Sequence, residues 1–317
     1  MTTSPVLQPT EPLTPGTAPQ LPGWRSVLIE QIRVTGYALR TPVMIMLAIA
    51  VFATLMIALR IVSRGLTFDL DAEPSPVYGL IGALLPIVVW ARDERFGPGF
   101  LWTLPVDRRT HALTKVLAGW LWLMGGVALS VLWLVAITLV SGGDVLPPET
   151  INLLTGSSLP VMGVVDPASV QSVRWVPGAF IAVVPFTAAT AAYLLASALW
   201  LGSRRPLWWV IGAVLAFAFA SVASDVASSQ LGMVLLYRAP ERALTWLLEN
   251  PYGVDAVLTA RTATLDTGMS FPNGERVAIW SAMPEMAHWL KATLLWTGAG
   301  LVALWAAVSR HREQRRA

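Results

Sequence analysis

The sequence contains no cysteine among its 317 residues, and few of its residues are charged. The lack of cysteine excludes disulfide bonds, thiol nucleophiles and zinc sites that use cysteine ligands. Charged residues make up 13% of the chain and hydrophobic residues 55%, whereas soluble domains typically carry about 25% charged residues. Mean hydropathy is +0.61. These proportions are typical of a membrane protein.

The sequence also lacks the motifs of several functional classes. No phosphate-binding GxxxxGK[ST] motif occurs, and no loop could house a nucleotide-binding fold, so any use of ATP requires another chain. Glu285 and His288 have the spacing of metal sites in helical bundles, but such a site needs a second copy and facing carboxylates. Paired acidic residues inside the apolar runs are missing as well. We therefore expect no catalytic residue, no metal and no cofactor on this chain.

The apolar runs predict an all-α membrane protein with its transmembrane domain in residues 41–310. Runs of 15 to 25 residues predict six spans, at about residues 42–63, 77–91, 116–140, 178–202, 207–228 and 292–309. The long segment 229–287, between the fifth and sixth spans, contains apolar pieces that are too short to cross a membrane. Such pieces fit either re-entrant segments or an external cap.

Both ends of the chain are polar. Residues 1–23 are rich in proline and threonine, which predicts a disordered cytosolic tail without a cleaved signal peptide. In residues 24–40, apolar side chains recur with helical period opposite Arg25, Glu30 and Arg33, which predicts an amphipathic interfacial helix. A packed surface helix fits the same pattern. Residues 311–317 are predicted to form a basic cytosolic tail.

Lysine and arginine are unevenly distributed around the predicted spans. Of the 22 basic residues, 14 lie before the first span, in residues 91–115, in residues 202–206 or after the last span. The positive-inside rule places these segments in the cytosol. The sequence therefore predicts a multi-pass protein of the cytoplasmic membrane with both termini cytosolic.

The polar loop from Ala91 to Lys115 carries eight charged residues around the apolar stretch GFLWTL. An acidic residue and a glycine follow the second span, then come a short apolar helix, a Leu-Pro element with arginine, and a lysine that opens the third span. In this order the loop resembles the permease subunits of the ABC-2 type exporter family. The matching residues are Glu94, Gly97, Leu104, Pro105, Arg108 or Arg109, and Lys115.

The resemblance implies that the short apolar helix is a coupling helix that docks on a cytosolic ATPase. Phe100, Leu101 and Trp102 would then insert into the ATPase, surrounded by charged residues; the alternative is that these three side chains lie on the membrane surface. The implied partners are two copies of an ABC ATPase subunit, which bring ATP and magnesium, and a second permease subunit, identical or paralogous. Membrane lipid is expected as a partner and nucleic acid is not.

The few polar side chains of the spans favour an amphipathic, lipid-like or peptide cargo over a small ion. Thr187, Thr190 and Tyr193 in the fourth span are candidates to line a pathway, although interhelical hydrogen bonds would use the same residue types. Two other functions remain open. A polytopic scaffold or assembly protein would keep this topology without transport, and a membrane-embedded enzyme would need convergent catalytic groups that the spans do not offer.

Overall fold

The computed structural model describes residues 23–65, 67–70, 76–90, 108–155, 165–203, 205–209, 211–212, 252–260, 265–280, 283 and 285–310. Most of these residues are helical. The helices are α1 (Trp24–Arg64), α2 (Val77–Trp90), α3 (Arg108–Ser141), α4 (Val184–Gly202), α5 (Val254–Thr259) and α6 (Met286–Arg310). The strands are β1 (Glu149–Leu154), β2 (Val170–Trp175), β3 (Leu265–Ser270) and β4 (Arg276–Trp280).

Four of the described helices are long and apolar enough to cross a membrane, in residues 24–63, 109–141, 179–202 and 286–309. They indicate a membrane protein. The predicted second span corresponds to α2, which has 14 residues and is therefore only about 21 Å long. Most of the predicted fifth span lies outside the described residues, so the count of six spans stays a prediction.

The first helix joins two segments that the sequence separates. α1 has 41 residues and runs through Pro42 without a break, which gives it a length of about 60 Å, twice the thickness of the bilayer core. Val27, Thr35 and Leu39 are buried in its first half, whereas the apolar side chains from Val43 to Val62 are largely exposed. The second half has the surface of a helix surrounded by lipid. The placement of residues 24–40 in the membrane interface stays a prediction.

The bundle is organised around α4, which packs most extensively against α6 and α2 and also contacts α3. Small residues face these neighbours: Ala188, Ala189 and Ala191 are buried, and Gly82 of α2 lies directly against the backbone of Ala189. Short side chains allow close helix approach, which maximises dispersion contacts where apolar burial gives no net driving force. α1 lies outside this group and contacts α3.

The predicted all-α fold is wrong in one respect, because the chain also forms a four-stranded sheet of order β2-β1-β4-β3. β1 pairs antiparallel with β2 over its whole length, β3 pairs antiparallel with β4, and a short parallel contact between β1 and β4 joins the two hairpins. The first hairpin, β1 and β2, lies between α3 and α4, where the sequence predicted no span. Isolated hairpins are marginal in water, and joining them lets apolar side chains on both faces of the sheet be buried.

The sheet lies at one end of the bundle, which we call the sheet end. Its strands follow α3 and precede α4 and α6. The segment after α1 reaches the same place, since Leu70 pairs with Val145 and the Asp69 carboxylate accepts a 2.9 Å hydrogen bond from the Asp144 amide. The opposite end, where α2 stops and α3 begins, is called the loop end.

Part of the segment between the predicted fifth and sixth spans packs inside the bundle. In the short helix α5, Ala256 and Val257 are buried against Ala191 of α4 and Ala292 of α6, and Leu258 contacts Gly79 near the start of α2. The Trp296 indole N–H of α6 donates a 2.8 Å hydrogen bond to the Tyr252 carbonyl. α5 thus packs mainly against α4 and α6 and touches the start of α2, while residues 265–280 contain the sheet strands β3 and β4.

Candidate functional site

The candidate site is the loop end of the bundle, where residues 91–107 leave α2 and enter α3. The predicted coupling residues Glu94, Gly97, Phe100, Leu101, Trp102, Leu104 and Pro105 lie outside the described residues. Arg108 is the first residue of α3, and Arg109 is exposed on its first turn. The structure therefore describes the base of the loop, namely the last turn of α2 and the first turns of α3.

At this base, the buried Lys115 of α3 packs against the buried Trp90 of α2. The Lys115 ammonium group lies 4.6 Å from the centroid of the Trp90 ring, and the two residues are 5% and 7% exposed. An ammonium group over an indole face is attracted by the ring quadrupole, with a stabilisation of about 2 kcal/mol when the pair is desolvated. This contact joins the last residue of α2 to the second turn of α3.

Tyr193 links the same part of α3 to α4. Its side chain is 0% exposed, and its hydroxyl donates a 2.8 Å hydrogen bond to the Val116 carbonyl. Gly119 makes room for the phenol, because a Cβ at that position would meet the Tyr193 hydroxyl and lie 3.4 Å from Val89 of α2. Tyr193 was predicted as a pathway residue, and the structure places it in the contact between α3 and α4.

Thr190 lies one turn before Tyr193 and also bonds to α3. The Trp120 indole N–H donates to the Thr190 hydroxyl at 3.1 Å, and that hydroxyl lies 3.7 Å from the Met124 sulfur. The Thr187 hydroxyl instead donates within α4, to the Val184 carbonyl at 3.0 Å. The interhelical hydrogen bonds considered from the sequence are thus present for Thr190 and Tyr193. Lining of a pathway by these three residues stays a prediction.

α1 reaches the loop end through the opposite side of α3. The Trp122 indole N–H donates a 3.0 Å hydrogen bond to the Ile32 carbonyl, and Gln31 Nε2 lies 3.3 Å from His111 Nδ1. Residues two positions apart on a helix differ in direction by about 200°. Trp120 therefore faces α4 while Trp122 faces α1, and α3 is held between them.

The described residues show no arrangement suited to metal binding, since they contain no group of three or more His, Asp or Glu side chains. Glu285 and His288, which the sequence analysis noted for their spacing, lie at the start of α6, where Glu285 Oε2 is 3.2 Å from His288 Nδ1. That position is at the sheet end. A single carboxylate beside a single imidazole falls short of the ligand set that a bundle metal site requires.

Sequence reasoning missed the partners that form the base of the loop. Lys115 was noted for its place at the start of a span, but Trp90, Trp120 and Gly119 were not assigned a role. The residues that meet are 25 positions apart for Trp90 and Lys115 and 77 apart for Val116 and Tyr193. One signal was available for Trp120 and Tyr193: a buried tryptophan or tyrosine normally finds a partner for its polar atom, so each such residue inside a span predicts a contact. Trp90 contacts Lys115 through the face of its ring, which this signal does not predict.

The described fold and site define a class, a helical membrane protein whose charged loop leaves a tightly packed base. Comparison of this chain with protein-family models, with curated proteins and with solved structures found no match.

Proposed function

We propose that this chain is the permease subunit of an ATP-driven exporter of the ABC-2 type, with six spans and both termini in the cytosol of a cytoplasmic membrane. The observation that carries the proposal is the joined base of residues 91–107. If an ATPase pushes on this loop, the helices at its two ends must move together for the movement to reach the rest of the bundle. The buried Trp90–Lys115 contact joins the end of α2 to the start of α3 in this way.

The sequence of the loop supports the same proposal. Phe100, Leu101 and Trp102 combine apolar area with flanking charges, the composition of a segment that inserts into a groove on a partner. Two ATPase subunits would bind ATP and magnesium, and a second permease subunit would complete the pathway. Closure of the ATPases would push on the two loops and shift each bundle between two packings. The cargo proposed is amphipathic, lipid-like or a peptide.

The proposal is tested by co-expressing this chain with a candidate ABC ATPase subunit and purifying the complex. The wild-type chain is expected to copurify with the ATPase. Leu101→Arg and Glu94→Arg are each expected to reduce the copurified ATPase about tenfold or more, the loss caused by removing one interface residue that contributes above 1.4 kcal/mol. Val176→Arg, at an exposed position of the sheet end, is the matched control and should copurify normally.

The outcomes separate the candidate functions. If the wild-type chain binds no ATPase, the permease proposal is wrong and a scaffold without transport becomes the better description. If the wild type binds but both loop variants bind equally well, the partner docks elsewhere, and the role of residues 91–107 is refuted while the ATPase partnership stands.

The cysteine-free sequence allows a direct test of orientation. Ser157→Cys, between α3 and α4, is expected to react with a membrane-impermeant maleimide added to intact cells. Ser203→Cys, in the basic turn after α4, is expected to react only after the membrane is permeabilised, since the positive-inside rule places residues 202–206 in the cytosol. The reverse labelling pattern would overturn the proposed topology.

A further inference from the structure

Two buried contacts meet on adjacent residues of α3, at the base of residues 91–107. Lys115 covers the Trp90 ring of α2 at 4.6 Å, and the next residue, Val116, accepts the 2.8 Å hydrogen bond from Tyr193 of α4. Gly119 lies one turn further along α3. It contacts the Tyr193 hydroxyl and also lies close to Val89 of α2. Three helices are therefore fixed to one another within about one turn.

The chemistry of each contact limits relative movement. Among the residues that the structure describes, the buried Trp90 indole nitrogen has no hydrogen-bond partner, so packing and the lysine over its face hold this ring. The Tyr193 phenol occupies the position that a Cβ at residue 119 would need, and its hydroxyl donates to the Val116 carbonyl. A sliding of α3 along α4 would break that hydrogen bond and press the phenol into the backbone of α3, which a close-packed interior resists.

We propose that Lys115 and Tyr193 are positioning residues of a coupling joint, formed by Trp90, Lys115, Val116, Gly119 and Tyr193, that transmits movement of residues 91–107 to α4. Lys115 makes the end of α2 and the start of α3 move as one unit. Tyr193 passes this movement to α4, the helix that also contacts α2 and α6. The inference rests on the proposed function for its role in transport, but the mechanical link is a property of this chain alone.

The contacts of α3 with α1 provide a matched comparison. Trp122 donates a hydrogen bond of nearly the same length to α1 instead of α4. Trp122→Phe removes one donor from α3, as Tyr193→Phe removes one donor from α4, and both leave an aromatic ring in place. Lys115→Met removes the charge at similar side-chain length, whereas Lys115→Arg keeps a cation that can lie over the Trp90 ring.

The first measurement uses the chain alone, with spin labels at Leu113→Cys on α3 and Leu199→Cys on α4, both exposed positions. The interspin distance distribution is expected to be narrow in the wild type, Lys115→Arg and Trp122→Phe. It is expected to broaden in Tyr193→Phe, because α3 is then free to shift against α4. Lys115→Met is expected to broaden instead the distance between labels at Leu84→Cys, an exposed position of α2, and Leu113→Cys, because Lys115 joins α2 to α3. Unchanged widths for both pairs would overturn the proposed joint, independently of any ATPase.

The second measurement uses the complex with the ATPase in proteoliposomes. Lys115→Met and Tyr193→Phe are expected to copurify at wild-type stoichiometry while permease stimulation of ATP hydrolysis falls about fivefold or more, at the lower end of typical coupling between sites. Lys115→Arg should restore stimulation. Normal stimulation in both variants would refute the role of the joint in coupling.

Measurements of thermal unfolding distinguish a positioning role of Lys115 and Tyr193 from a purely structural one. If Lys115→Met and Tyr193→Phe lower the thermal unfolding temperature and the yield of complex in parallel with stimulation, their role is structural and the positioning proposal is wrong. If the wild-type chain binds no ATPase, the permease function fails, and the interspin distances of the isolated chain still decide the joint.

Discussion

Gly82→Ala is expected to destabilise the bundle by about 3 kcal/mol or more, the upper range for overpacking a well-packed interior. A Cβ at Gly82 would meet the Ala189 carbonyl oxygen and lie 3.1 Å from both the Cα and the carbonyl carbon of Ala189. These are backbone atoms of α4, so they cannot move aside as the end of a flexible side chain does. The two helices would have to separate, and the other contacts between α2 and α4 would weaken with them.

Gly125→Ala is the matched control for this prediction. Gly125 lies inside α3, and in the described part of the chain no atom outside the neighbouring helix backbone lies within 4 Å of a Cβ added there. Since alanine is favoured over glycine in a helix interior by roughly 0.5–1 kcal/mol, this variant should be neutral or slightly more stable. Thermal unfolding in detergent, followed by tryptophan fluorescence, compares the two. Equal unfolding temperatures would show that α2 and α4 are not packed through Gly82.

Trp280→Ala is expected to destabilise the sheet end by about 3–5 kcal/mol, the usual cost of removing a buried tryptophan. Trp280 of β4 is 4% exposed and packs with Ile151 of β1, Trp175 of β2 and Ile181 before α4. The Trp175 and Trp280 ring centroids are 5.9 Å apart. Because β1 and β4 pair over only two residues, side-chain clusters such as this one contribute much of the contact between the two hairpins.

Hydrogen exchange of the β1 amides measures the effect of Trp280→Ala locally. Faster exchange in residues 149–154 is expected, while the amides of α3 and α4 should keep their protection. Trp305→Ala on α6 is the control, since that tryptophan is 72% exposed and its loss leaves no cavity. Unchanged exchange in β1 would mean that the hairpins do not depend on each other.

The apolar runs of the sequence predicted the positions of several helices. The predicted spans at 77–91, 178–202 and 292–309 correspond to helical segments with similar bounds, although α6 begins six residues earlier. α3 starts at Arg108, eight residues before the predicted span, because a helix continues through polar residues as long as its backbone hydrogen bonds are satisfied. The length of an apolar run therefore predicts the part of a helix that can lie in the membrane, and the helix itself can be longer.

The sheet was missed, although one of its hairpins has a recognisable signal. Asn273-Gly274 lies between the alternating segments of β3 and β4, and Gly274 has a φ of 82°, a backbone conformation that glycine adopts without strain. An Asn-Gly pair between alternating segments is a strong hairpin signal. By contrast, no local pattern predicts the pairing of β1 with β4, because those strands are more than 120 residues apart.

The sequence by itself determined that this is a helical membrane protein, since the free energy of transferring a segment into lipid depends on its composition and length. It also located a charged loop between two apolar helices and a resemblance for that loop. Only the tertiary structure decided which residues meet at its base. Tyr193 reaches the Val116 carbonyl and Lys115 reaches Trp90 because α2, α3 and α4 pack at a particular rotation and height. The rotation and height of these helices depend on contacts of glycine and alanine residues between distant segments, and neither composition nor periodicity predicts such contacts.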